Sequence, residues 1–428
     1  MDAVEQTMDA EKLTQLAEQH QEPEWLIKKR VAAFQQMELL KYPKVLRFNY
    51  RNWQMASNQL DWTESNVKLV KSDLADTHLL QLGQTTISVN LPTKLADQGV
   101  ILTDLFTAVN DYPELVHQYL MTQAIPTDDN YLASYHAAFL TSGIFLYVPA
   151  NVEMDEPIKL EILQDSTQTS DFNTHTLIVA GENTKFSVIQ QMNTVGNQDN
   201  LANALVEVIA KENSHVSISA LDQLGENTRA YLQRRASVAR NATVNWSIGM
   251  MNEGDTVGNF ETTLSEDGAQ ANAKVVAITK GNQRVGINTG IKNVGKHTAG
   301  DILQRGVILD QSQLVFNGIG DIIHGAAGSE SEQENRILMM SNEAHGNANP
   351  ILLIDENDVL AGHAASVGQV DQTQLYYLMS RGLSQATAEH LVIRGFLGAV
   401  LTAIPSKVVR QKLISIIERK LADGHEDK

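Results

Sequence analysis

Imidazole and carboxylate side chains gather in one stretch of this sequence, where metal chemistry would first be sought. His324, His345 and His363 stand about 20 residues apart between Asp321 and Gly382, beside Glu330, Glu332, Glu334 and Glu343. Such groups can ligate iron or zinc. The spacing alone is a weak metal signal, because no close pair of the H-x-x-x-H kind occurs. In a solenoid, residues a rung or more apart can approach each other. Otherwise each histidine reads as an ordinary structural or surface residue.

A second chemical feature is the absence of cysteine. The chain supplies no disulfide, no thiolate nucleophile and no Cys-based zinc or cluster site by itself. Any metal it handles must use histidine, carboxylates or a partner's thiols. The GxxxxGK[ST] phosphate loop is missing too, and Gly318, Gly320, Gly325 and Gly328 sit among strand turns, so ATP hydrolysis is not expected. A formal net charge of -18 repels phosphate backbones, so no nucleic-acid partner is expected. One local exception, Lys41 to Trp53 (KYPKVLRFNYRNW), interleaves basic and aromatic residues. It reads as a solvated face or an internal docking strip ahead of a single-strand binding site. The acidic, polar N-terminus lacks the pattern of a signal peptide, and no apolar run approaches the roughly 20 residues of a membrane span. A cytoplasmic protein without membrane insertion is the expectation.

Positioning those residues requires a framework, and its periodicity changes twice. Residues 1 to about 40 read as helix through Leu13, Leu16, Ala17, Leu26, Ile27, Val31, Phe34 and Met37, and Pro43 closes the stretch. Thr85 to Leu91 reads as a strand, followed by a helical pattern through Leu105, Val109, Leu115, Val116 and Leu120. From about Gly143, short β-branched segments follow one another between Gly, Asn, Asp and Ser turns, through Val359. Sandwich, barrel and parallel β-helix all fit such a run. Even turn spacing favours the β-helix, as do Asn245, Asn288, Thr289 and Asn317, which could stack in ladders. Flanking helical regions would then cap its exposed ends. After Asp371 the pattern returns to helix, with Gly382 as a stop and Ser384 and Ser406 as N-caps, Pro405 preceding the latter. The last helix opposes Val409, Leu413, Ile416 and Ile417 to a basic face of Lys407, Arg410, Lys412, Arg419 and Lys420. That face suits the chain's own core or a partner protein.

The runs GSESEQENRILMMSNEAHGNANPILLI, DVLAGHAASVGQVDQTQLYYLMSRGL and HLVIRGF resemble the C-terminal half of the SufB/SufD family, paired scaffold proteins of SUF iron-sulfur cluster assembly. The resemblance extends upstream through Ala137 to Leu160, and more loosely to Pro43 to Trp53. It implies a mainly β fold with flanking helices: a right-handed parallel β-helix core (136–370) between an N-terminal helical domain (1–135) and a C-terminal helical domain (371–428). It implies a non-catalytic scaffold that pairs with a SufB-type subunit and docks a SufC-type ABC ATPase through residues like Arg381, Gly382, Leu383, Arg394, Gly395 and Phe396. An isolated chain is expected to form a homodimer.

SufB-type chains carry the cysteine used to build the cluster, so a chain without any resembles their partner. The family pattern Cys-x-His-Gly here reads Ala361-Gly362-His363-Ala364. The resemblance thus implies no permanent cofactor, and a transient iron or iron-sulfur cluster shared with SufB near His363, with His345 and His324 as further candidates. Imidazole ligation suits a cluster that must later be released. Two other readings fit the architecture: a homo-oligomeric scaffold binding metal through the histidines and the Glu-rich turn, and a carbohydrate-active β-helix enzyme. For the latter, no clustered Asp triad is found in the strand region.

Overall fold

The computed structural model describes residues 8–57, 59–60, 62, 65–67, 76–403 and 407–422. Its β-branched segments are strands that alternate between two sheets. One sheet runs from Ile158–Ser166 and Lys185–Gly196 through Ser329–Met339 to Val359–Gln369, and the other from Ser142–Val148 and Phe172–Ala180 through Gln313–Ile322 to His345–Ile354. Each strand pairs in parallel with the one two places further along, as in Val275 to Gln304 to Asn335. This is a parallel β-helix, and the turn signals recur because each turn of it repeats the same corners. At one corner Asn151, Asn183, Asn213 and Asn241 all adopt positive φ, which Asn tolerates better than most residues. Their amides also bond along the stack, Asn183 to Asn151 at 3.0 Å and Asn213 to Asn183 at 3.1 Å.

Alternate residues of both sheets point into the lumen, where Leu160, Ala220, Ile248, Val275, Val206, Phe260 and Phe316 form one buried core. The remaining residues of many strands are apolar as well, which is why the strands read as nearly continuous hydrophobic runs. Leu177, Leu205, Tyr231, Val257 and Val315 of the second sheet pack beneath the N-terminal helices. Ile189, Leu221, Val276 and Val307 of the first sheet pack beneath Ile393, Leu397, Val409 and Leu413 of the C-terminal helices Gln385–Ala403 and Lys407–Ala422. The helical regions therefore clasp the two faces of the β-helix. They were expected to cap its ends, and the apolar outer faces account for the difference.

The N-terminal helical stretch is two helices, Ala10–Gln19 and Glu24–Met37, because Pro23 breaks the ladder between them. Arg30 lies fully buried where the periodicity favours apolar residues. Its guanidinium pairs with Glu22 at 2.6 Å and donates to the carbonyls of Ala138 (2.9 Å) and Leu140 (2.7 Å), which end the helix Tyr131–Phe139. The segment Lys41 to Trp53 is a strap across the second sheet. Arg284 donates to Asn49 O, Asn288 to Lys44 O and Asn317 to Leu46 O, while Phe48 and Tyr50 are buried. Gly286 makes room for it, since a Cβ there would lie 2.5 Å from the Phe48 ring. The aromatic residues and the backbone carbonyls of the strap are thus spent on internal docking, while Lys41, Lys44, Arg47 and Arg51 are exposed.

Beneath the N-terminal domain, Glu207 accepts from the backbone N–H groups of Met121 (2.7 Å) and Ile125 (2.9 Å) and bonds His175, which contacts His136 at 3.2 Å. Burial pushes the His136 imidazole well below its usual range, so it is held neutral.

Candidate functional site: the open end of the β-helix

The last turn of the solenoid is formed by His345–Ile354 and Val359–Gln369, each the edge strand of its sheet. Leu353 and Leu360 are 52% and 66% exposed, and Ile354 and Val367 are also exposed. A rung with both edges open and apolar side chains in solvent is a ready template for another set of strands.

His363 lies in the middle of the last strand, opposite Gln333. Gln333 aligns with Ile302, Ile302 with Ala273, and Ala273 with Trp246, all inward-facing residues. His363 therefore belongs to the column that faces the lumen, and it is solvent-exposed, since among the described residues no further turn covers it. Ala361 and Ala365, two positions to either side, share that inner face by the two-residue strand period. On the opposite face Gly362 lies against Glu332: a Cβ at this glycine would be 2.6 Å from the carboxylate.

The acidic residues of the Glu-rich turn are the outward half of the strand Ser329–Met339. Ser331, Gln333 and Asn335 are buried and alternate with Glu330, Glu332 and Glu334. Arg305 and Arg336 both pair with Glu334. Asp301, on the adjacent strand, has its carboxyl pushed above the usual range by burial first, with Glu332 and Glu334 adding to it.

The three histidines do not converge. His345 begins its strand opposite Gln313, whereas His324 follows the far end of that neighbour, beyond Ile322. A ten-residue strand at 3.3 Å per residue separates them by roughly 30 Å. His324 is 84% exposed, 3.9 Å from Glu356, whose carboxyl is held below the usual range chiefly by the backbone N–H of Gly325. Among the described residues, no three His, Asp or Glu side chains cluster closely enough to hold a metal ion.

The C-terminal helices present a second surface. Gly382 follows Gln372–Ser380 with φ +92°, and Ser384 caps the next helix by accepting from Thr387 N at 3.2 Å. Pro405 and Ser406 lie outside the described residues. Arg381 is exposed and stacks on Tyr377, and Leu383 is half-buried. Arg394 and Gly395 face solvent, with Arg394 at 3.4 Å from Glu418 across the helix pair. Phe396 instead turns toward the β-helix, under the Arg305 guanidinium. Tyr376, Tyr377 and Met379 are exposed on the helix Gln372–Ser380, and exposed Leu391 lines a cleft of about 380 Å³ together with Leu397 and Ile414.

One residue departs from the helical-wheel reading. Lys420 is buried against the β-helix, where its ammonium donates to the carbonyls of Met251 (3.2 Å) and Asn252 (2.5 Å). Burial pushes its pKa down to about 7.

The profile of SUF system FeS cluster assembly, SufBD core domain, matches residues 162–396, and that of the SufBD protein N-terminal region matches residues 3–160. The chain belongs to the SufBD family. Over 97% of its length it is 40% identical to the iron-sulfur cluster assembly protein SufD of Bacillus subtilis, covering 98% of that protein. It is 23% identical, over 91% of its length and 88% of the relative's, to a SufBD family protein of Staphylococcus saprophyticus. The SufBD membership places it among iron-sulfur cluster assembly proteins of the SUF system. No described helix is long and apolar enough to cross a membrane.

Inward residues such as Gln333 and Asn335 went unnoticed at the sequence level. The signal was there: uncharged Ser329, Ser331, Gln333 and Asn335 alternate strictly with charged Glu330, Glu332, Glu334 and Arg336. That alternation separates lumen from outer face.

Proposed function

We propose that this chain is a non-catalytic scaffold subunit that pairs, through the open end of its β-helix, with a cysteine-bearing SufB-type subunit, and docks a SufC-type ATPase on its C-terminal helices. Iron or a nascent iron-sulfur cluster is the cargo, held across the interface between the two β-helices. The observation that carries this reading is His363 on the inner column of an uncovered last turn. The donor set fits a shared site: one imidazole at the mouth, no thiol in the chain and, among the described residues, no neighbouring triad of ligands. Thiolates then come from the partner, and the single imidazole leaves a labile edge for release.

His363→Ala, co-expressed with its partners, is expected to purify in an intact complex with little or no cluster, read by iron and sulfide content. Full loading would overturn the reading. The exposed leucines of the last turn also fit a second copy of this chain. Mixing the chain with both partners and weighing the product separates the two cases, since persistent homo-oligomer favours the second.

A further inference from the structure

Side-chain hydrogen bonds cross the lumen and tie one sheet to the other. Gln190 donates to Thr176 (2.9 Å), Arg234 to Asp222 (2.7 Å), Trp246 to Thr262 (3.0 Å) and Gln304 to Thr289 (2.7 Å). Such pairing is the normal requirement for polar groups taken from water. The register carries Gln304 to Asn335 on the next strand of its sheet, and Thr289 to Gly318 on the facing one. One rung before the open end, the hydroxyl partner is therefore replaced by a glycine.

Asn335 is fully buried, and neither its Oδ1 nor its Nδ2 has a hydrogen-bond partner. Among the described residues, no other buried side-chain amide lacks both. Gln333 beside it donates Nε2 to Ile351 O at 2.9 Å, while its Oε1 has no partner. Gly318 is required here, because a Cβ would lie 2.4 Å from Gln333 Oε1 and 2.5 Å from Asn335 Nδ2. On the last strand His363 stands over Gln333, and Ala365 over Asn335. The register thus sets His363 beside two amides with free acceptor oxygens, itself over Gln333 and with only the Ala365 methyl group over Asn335. The ionisable neighbours are turned away: Glu330, Glu332, Glu334 and Arg336 face outward, and the strand His345–Ile354 carries none beyond His345.

We propose that Gln333 and Asn335 are positioning residues for His363: a free amide oxygen accepts the imidazole Nδ1–H, fixing one tautomer and leaving Nε2 directed at the open end as the ligand atom. A second ring nitrogen held in this way is how ligating histidines are commonly oriented. The proposal rests on the reading of His363 as the site residue, and the test separates the two.

The full-length chain is labelled with ¹⁵N-histidine, and the His363 ring nitrogens are followed against pH, with His363→Ala supplying the assignment. The native chain is expected to show the Nδ1–H tautomer. Asn335→Leu and Gln333→Leu should shift it toward a mixture, and Asn335→Asp should raise the proton affinity of His363 about tenfold or more through the new carboxylate. In the complex, both Leu variants should assemble at native mass with reduced cluster content. A purely structural amide would leave the ring untouched, and replacing an unpartnered one by Leu should not lower the melting temperature. Asn335→Ala repeats the measurement if the Leu variant fails to fold. Unchanged tautomer and titration in all variants would overturn the proposal. Full cluster loading in His363→Ala would instead overturn the site reading, whatever the ring nitrogens show.

Discussion

At its N-terminal end the β-helix finishes with antiparallel strands, Thr85–Asn90 against His78–Leu82 and Ile101–Asp104 against Ser142–Val148, with the helix Leu105–Asp111 behind. At its C-terminal end it finishes with parallel strands and, among the described residues, nothing over them. Reversing strand direction diverts the pairing from further parallel turns, whereas a parallel last rung offers the same pattern that every interior rung accepts. One end is closed by construction; the other is left in a form that another β-helix can continue.

The comparison can be broken first at the closed end, where the largest effect is expected. Glu22→Ala leaves Arg30 buried without its counter-charge and should cost about 3–5 kcal/mol of stability in urea unfolding. Pairing Glu22→Leu with Arg30→Met should recover much of that loss. If Glu22→Ala proves neutral, the buried pair is not what fastens this domain.

At the open end, Leu353→Lys with Leu360→Lys should leave the melting temperature within a few degrees while weakening association with a second β-helix at least tenfold, about 1.4 kcal/mol, by sedimentation. Val89→Lys, on the exposed face of the antiparallel closing strand, is the control and should change neither. Equal effects at the two ends would remove the distinction.

A smaller effect sharpens it along one column. Asn349 donates to Asn317 and Asn317 to Asn288, both at 2.8 Å, and Asn317 also holds the strap at Leu46 O. Asn317→Ala should cost about 1–2 kcal/mol and speed hydrogen exchange in the strap. Asn349→Ala, in the half-exposed last rung, should cost less than about 0.5 kcal/mol until a partner covers it.

Lys420 adds a pH dependence to the helix that lies against the first sheet. Its proton is bound more weakly in the folded state, near pH 7, than in the unfolded chain, near 10.5. Folding stability should therefore rise as pH increases from about 7 toward 10, by a few kcal/mol at most, and stay flat below 7 as far as this group is concerned. Lys420→Met should flatten the rise, measured as melting temperature against pH.

The strand run was legible because β-branched segments between Asn and Gly turns fit little besides successive strands, and the asparagine ladder Asn288–Asn317 follows from stacking. Gly382 and Ser384 were legible because helix ends demand their chemistry. Face and end were not distinguishable, since the outward Val276 and the inward Val275 look alike in a sequence. Lys420 misled, and the burial of Arg30 gave no sign, for a related reason: a charge can be buried when backbone carbonyls receive it, and those carbonyls belong to residues more than 100 positions away. His363 was singled out by resemblance; its place on the lumen column appears only when the register is followed strand by strand.

The parallel register also gives the molecule a direction of growth. Each strand finds its partner one turn earlier in the chain, so a ribosome releases every turn onto an edge that already exists. The closed end is made first and serves as a foundation. The open end is simply the growing edge at the moment the strands run out, and it should be the last part to gain hydrogen-exchange protection during synthesis and the first to lose it on warming.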